Sequence, residues 1–193
     1  MSEVKFDAVI YTQVLRNLME DMVLNKSEAS VGYLLIGAYL TDKLSPSVIT
    51  DFICLGSGEC ANIDLSEQKI KLDEPYLKDK LLSLGNANLL YGGIFMSLGK
   101  MVLGGAHMIS YDSDLGLSEE DKGAIARFLD SAKNSPDIYS SAPWLELVYC
   151  PEDEGLNLFK SYDGKICLEA NLLLFEGGDL EKSLKGKPIS LEL

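Results

Sequence analysis

The stretch MVLGGAHMIS, residues 101–110, decides how this chain is read. It is a short apolar run with paired glycines, and it carries the only histidine in the protein, His107. Its length and composition predict a buried strand with His107 near its end. The next stretch, YDSDLGLSEEDKGAIARFLDSAKN, residues 111–134, starts acidic and turns amphipathic. Ser118 is a good N-cap and Asp121 sits where a capping acid belongs, so a helix is predicted to start near Ser118. Ala124, Ile125, Phe128 and Leu129 form its apolar face.

Upstream, FDAVIYTQVLRNLMEDMVLN has Val9, Val14, Leu15, Leu18, Met19 and Met22 at helical spacing, which predicts an amphipathic helix over residues 9–24. VGYLLIGAYLT reads as a buried strand, and LSPSVITDFICLGSG as a second one after turn residues. IDLSEQKIKLDE alternates and reads as strand or extended loop. Residues 74–100 read as helical, with Gly85, Gly92, Gly93 and Gly99 weakening the pattern. Downstream, WLELVYC and LNLFKSYDGKICLE are strands, with SYDG as a hairpin turn. The stretch 171–193 is mixed. Helices alternating with strands give an α/β (α+β) domain, a mixed sheet with helices packed on it. Gly32, Gly37, Gly104 and Gly105 are expected to let strands pack closely against helices.

With 193 residues, about 70% of the unfolded chain's surface can be buried, and no disulfide staple is needed. The net charge is −13, which repels phosphate backbones and anionic lipid. Nucleic acid and membrane surfaces are therefore not expected partners. No apolar run reaches the roughly 18 residues of a membrane span. Residues 86–103 come nearest, interrupted by Asn88, Ser97 and Lys100. The start, MSEVKFDAV, lacks a basic segment and long apolar core, so a cytoplasmic location is expected. Cys54, Cys60, Cys150 and Cys167 form no CxxC pair and read as buried small hydrophobes.

These motifs, in this order, resemble the JAB/MPN domain, whose active members are JAMM metalloproteases. Glu28 precedes the strand VGYLLIG, MVLGGAHMI is similar to the histidine-bearing strand, SEED to the S-x-x-D that opens the next helix, and PWLELVYCPEDEGLNLFKSYDG to the paired strands that follow. The resemblance covers about residues 4–170. It implies a cytidine-deaminase-like mixed sheet flanked by helices over residues 1–175, with residues 176–193 as a C-terminal extension. In active members two histidines and an aspartate hold zinc, a glutamate takes a proton from the metal-bound water, and a serine supports the oxyanion.

The chain departs from that pattern. His107 matches the first histidine, but the second falls on Ile109, which cannot ligate a metal. Eight residues separate Ile109 from Ser118, one more than the family spacing. Ser110 stands where a proline is common, and Glu28 lies four residues before Gly32, not three, Ala29 taking the family position. His107 and Asp121 are thus remnant metal ligands, and Glu28 and Ser118 remnant catalytic residues. Each also has an ordinary role: a hydrogen-bonded histidine in a core, a helix cap, a solvated acid. The resemblance then implies a catalytically inactive scaffold with no cofactor, pairing with another MPN-type subunit or with itself as a dimer, in a ubiquitin-like or proteasome-type system. The apolar segment 81–98 is a candidate interface helix, though its composition suits a core helix better. The alternative is a divergent metal-dependent (iso)peptidase whose zinc is held by His107, Asp121 and Asp112 or Asp114. A small-ligand binder using the vacated cleft is a third reading.

Overall fold

The computed structural model describes residues 5–24, 32–40, 46–54, 61–64, 69–108, 143–162 and 166–185. They form a mixed α/β structure made mostly of strands. The first described strand, β1 (Ala8–Tyr11), passes without a loop into α1 (Thr12–Leu24). β2 (Tyr33–Tyr39) and β3 (Ser47–Cys54) pair antiparallel. β4 (Ala61–Asp64) and β5 (Lys69–Leu72) form a separate antiparallel pair. Then come α2 (Glu74–Ser83), β6 (Ala87–Tyr91), β7 (Ile94–Leu98) and β8 (Met101–Met108). β9 (Trp144–Cys150), β10 (Gly155–Tyr162), β11 (Ile166–Glu169), β12 (Leu172–Phe175) and α3 (Leu180–Leu184) complete the described elements.

Eight strands form the main sheet, in the order β11-β10-β9-β8-β2-β3-β1-β12. β8 and β9 run parallel, as do β1 and its two neighbours β3 and β12. Successive side chains on a strand point to opposite faces, and the two faces bury different clusters. Ala8 and Ile10 join Leu15, Leu18 and Met22 of α1, together with Leu35, Ile49, Leu145 and Leu147. Val9 points the other way, into a cluster with Val48, Leu89, Leu173, Phe175 and Leu180. α1 therefore covers one face, and β6 with α3 covers part of the other. At the rim, Lys100 Nζ donates to Asp51 Oδ2 at 2.6 Å and to the Leu84 carbonyl at 3.2 Å, tying the start of β8 to β3 and to the end of α2.

Two expectations are corrected. Residues 9–24 are not one helix: Val9 lies in β1, and the helical spacing holds only from Thr12. Ala8, Val9 and Ile10 are fully buried between two strand partners, and pairing on both edges outweighs the local helical pattern. The apolar segment 74–100 is also not a single helix. α2 ends at Ser83, and residues 87–98 are the β6–β7 hairpin. Gly92 and Gly93 have φ +58° and +80°, the left-handed values of a two-residue type I′ turn, which is where glycine is favoured. Around them Ala87, Leu89 and Tyr91 face inward while Asn88, Leu90 and Phe95 face outward, a period of two and not of 3.6.

The strands expected at VGYLLIG, VITDFIC, MVLGGAHM, WLELVYC and LNLFKSY are present as β2, β3, β8, β9 and β10. IDLSEQKIKL contains strand on both sides, as a hairpin. β10 and β11 pair antiparallel; the second half of the expected SYDG turn lies outside the described residues. The helix expected from Ser118 lies outside the described residues. Among the described residues no helix is long and apolar enough to cross a membrane.

Candidate functional site

Three side chains from β8 and β9 meet on one face of the sheet. Leu145 and Leu147 point into the α1 cluster, so Trp144 and Glu146 point to the opposite face. Ala106 likewise faces α1, which turns His107 to the side of Glu146. The parallel register sets Gly105 beside Glu146 and His107 beside Val148. Glu146 Oε1 lies 2.7 Å from His107 Nδ1. Trp144 Nε1 donates to Glu146 Oε2 at 2.8 Å. Both carboxylate oxygens are thus engaged, in a residue only 7% exposed.

Glycine makes this packing possible. A Cβ on Gly105 would stand 2.7 Å from Glu146 Oε2 and 3.2 Å from the Trp144 ring. Next to it, a Cβ on Gly104 would stand 1.8 Å from the Leu145 carbonyl oxygen. The expected close approach at these glycines is therefore strand against strand, not strand against helix.

A buried carboxylate must be hydrogen-bonded or it costs several kcal/mol. Here one neutral donor and one imidazole supply the bonds. A carboxylate oxygen accepts, so the shared proton belongs to Nδ1. That orients the ring, and in the neutral imidazole it leaves Nε2 as the nitrogen able to accept. Metal-binding histidines carry this same support, a carboxylate on the far nitrogen. Catalytic zinc, however, takes three protein ligands, and among the described residues no three His, Cys, Asp or Glu side chains gather. Glu28, Asp112, Asp114, Ser118 and Asp121 lie outside the described residues, as does Ile109. Of the residues expected at a site, His107 alone is placed, partly buried near the end of β8.

Glu146 and Trp144 were not among the expected site residues. A signal for them exists: in WLELVYC one acid interrupts an otherwise apolar and aromatic strand. A charge inside a buried strand needs a partner, and the tryptophan two positions earlier shares its face. Of the cysteines, Cys150 is buried and Cys54 half-buried, while the side chains of Cys60 and Cys167 are outside the description.

A second feature is the surface of the β6–β7 hairpin. Phe95 is 85% exposed and Ile94 67% exposed. Residues 81–99 contain no charged side chain, in a protein of net charge −13. The turn is anchored from beneath: Gly92 N–H donates to Asp179 Oδ1 at 2.9 Å and Gly93 N–H to Oδ2 at 2.8 Å. Asp179 also caps α3 through the Glu181 N–H at 3.0 Å. Exposed aromatic and aliphatic side chains on a strand without charges of its own, anchored at its turn, have the character of a protein-binding surface.

No family model matches the chain, and no curated protein matches it.

Proposed function

We propose that this protein is a catalytically inactive, JAB/MPN-like binding subunit that acts through protein–protein contact. The observation that carries the reading is the β6–β7 hairpin, anchored at its turn by Asp179 and exposing Ile94 and Phe95 on a strand with no charged side chain of its own. Ile94 and Phe95, 67% and 85% exposed, stand next to each other on one strand, where a partner would cover both. The engagement of Glu146 by both Trp144 and His107 agrees with it. The carboxylate and imidazole are tied into the packing of β8 and β9, as expected where a catalytic centre has become structural. In this reading the chain scaffolds an assembly of the ubiquitin-like or proteasome-type kind, in the cytoplasm, with no cofactor.

One observation favours a second reading, the divergent metal-dependent (iso)peptidase. The carboxylate on Nδ1 orients the ring as it would for zinc on Nε2. Asp121 with Asp112 or Asp114 would complete the ligand set. Elemental analysis of protein purified without added metal separates the two. The scaffold reading expects far less than one equivalent of zinc and a melting temperature unmoved by chelator. Stoichiometric zinc, lost in His107→Ala or Asp121→Ala, would establish the peptidase reading in its place.

A further inference from the structure

We infer that the outer edge of β7 is a self-pairing edge, and that a second copy of this chain docks there strand to strand. The inference rests on the protein-binding reading and names the partner. A two-residue type I′ turn makes its flanking residues a hydrogen-bonded pair, and such pairs alternate along the hairpin. Tyr91↔Ile94, Leu89↔Met96 and Ala87↔Leu98 therefore exchange ladder bonds. The N–H and C=O groups of Phe95 and Ser97 point the other way, to the outer edge. Among the described residues no strand occupies that edge.

Proteins usually blunt an open edge with charge, proline or a bulge. β7 has none of these: residues 94–98 are Ile, Phe, Met, Ser and Leu, paired to β6 in unbroken register. Charge also selects the occupant. Two copies, each at −13, repel wherever their acidic surfaces meet. Residues 81–99 carry no charged side chain of their own, and the carboxylate at the turn, Asp179, bridges to Leu90 on the β6 side, away from the outer edge of β7 where two copies would meet. A basic partner would gain nothing from this uncharged strip and would favour the acidic surface.

An antiparallel β7–β7 pair with its two-fold axis at Met96 is self-complementary. It sets Phe95 opposite Ser97 of the second copy in hydrogen-bonded pairs. Ile94 then faces Leu98 of the second copy on the side continuous with the Leu89 core. The result is a four-stranded sheet, β6-β7-β7-β6.

Sedimentation of the purified chain, with amide hydrogen exchange on the same samples, tests this. A concentration-dependent dimer is expected, and exchange at the Phe95 and Ser97 amides should slow as it forms, while Ile94 and Met96 change little. Raising ionic strength from about 0.01 M to about 0.15 M shortens screening from about 30 Å to about 8 Å, so the dimer should tighten with salt. Phe95→Lys, at an exposed position, and Ser97→Pro, which removes an outward N–H, should each weaken it at least tenfold with the fold retained. A dimer that survives both variants, or that weakens with salt, overturns the proposal. So does a monomer at every concentration. A photo-crosslinker at position 95 then separates the two ideas in lysate. Capture of another protein, lost in Ser97→Pro, would leave the binding reading standing without self-pairing. No capture would remove both.

Discussion

Gly105 is the residue on which the buried cluster depends. Any larger side chain would enter the space of the Glu146 carboxylate, since a Cβ at this position would stand 2.7 Å from Oε2. Gly105→Ala should therefore push Glu146 off Trp144 Nε1 and His107 Nδ1 and leave a buried acid poorly bonded. A loss of about 1–3 kcal/mol in denaturant unfolding is expected. Gly99→Ala is the matched control, since nothing lies within 4 Å of a Cβ there, and it should change stability little. Equal effects from the two substitutions would mean that the carboxylate is not held as described. The need for glycine at position 105 could not be read from the run MVLGGAHM, because it comes from a residue 41 positions away on a neighbouring strand.

The β6–β7 hairpin and α3 stand or fall together through Asp179. Desolvation raises its carboxyl pKa, but backbone N–H groups of Gly92, Gly93, Glu181 and Lys182 lower it, and the lowering wins. The folded pKa is thus below the ordinary carboxylate value. The stability this group contributes is present above the unfolded pKa and is lost as pH falls through the folded one. Asp179→Asn should lower the melting temperature at neutral pH, with the gap to the parent protein closing as pH is taken below the ordinary carboxylate range. A gap independent of pH would show that the charge is not what holds the turn. The hairpin's signal in NLLYGGIFM is Gly-Gly between two short apolar runs, a turn signal that competes with the helical count over residues 74–100. What made the longer window read as helix was the true helix at its start, where Asp73 caps α2 by accepting from the Tyr76 N–H at 3.0 Å.

Taken whole, the main sheet ends at β12, the last described strand. β12 pairs parallel with β1, and Leu173, Phe175 and Leu180 are buried at 6%, 3% and 0% exposure in the cluster that also holds Val9 and Leu89. Each such side chain contributes about 1.5–3 kcal/mol by burial, and a domain has about 5–15 kcal/mol in total. Ending the chain at Ala170 should therefore abolish a cooperative thermal transition or lower its midpoint by well over about 10 °C. Ending it at Lys185 tests the remainder separately. A truncated chain that melts as the full one does would show that β12 adds nothing to the core.

Local pattern was enough for the strands that are apolar along their whole length and for the start of α2. Those depend on burial and backbone preferences that act within a few residues. It was not enough for β1, whose four residues are a strand because β3 and β12 flank them, partners about 40 and 160 positions along the chain. Nor could it assemble His107, Glu146 and Trp144, since parallel strands adjacent in a sheet leave no trace of their register in either sequence. Composition determined that the protein is acidic and able to build a core without staples. Sheet order decided which face His107 lies on, which acid holds it, and which uncharged strand is left at an edge.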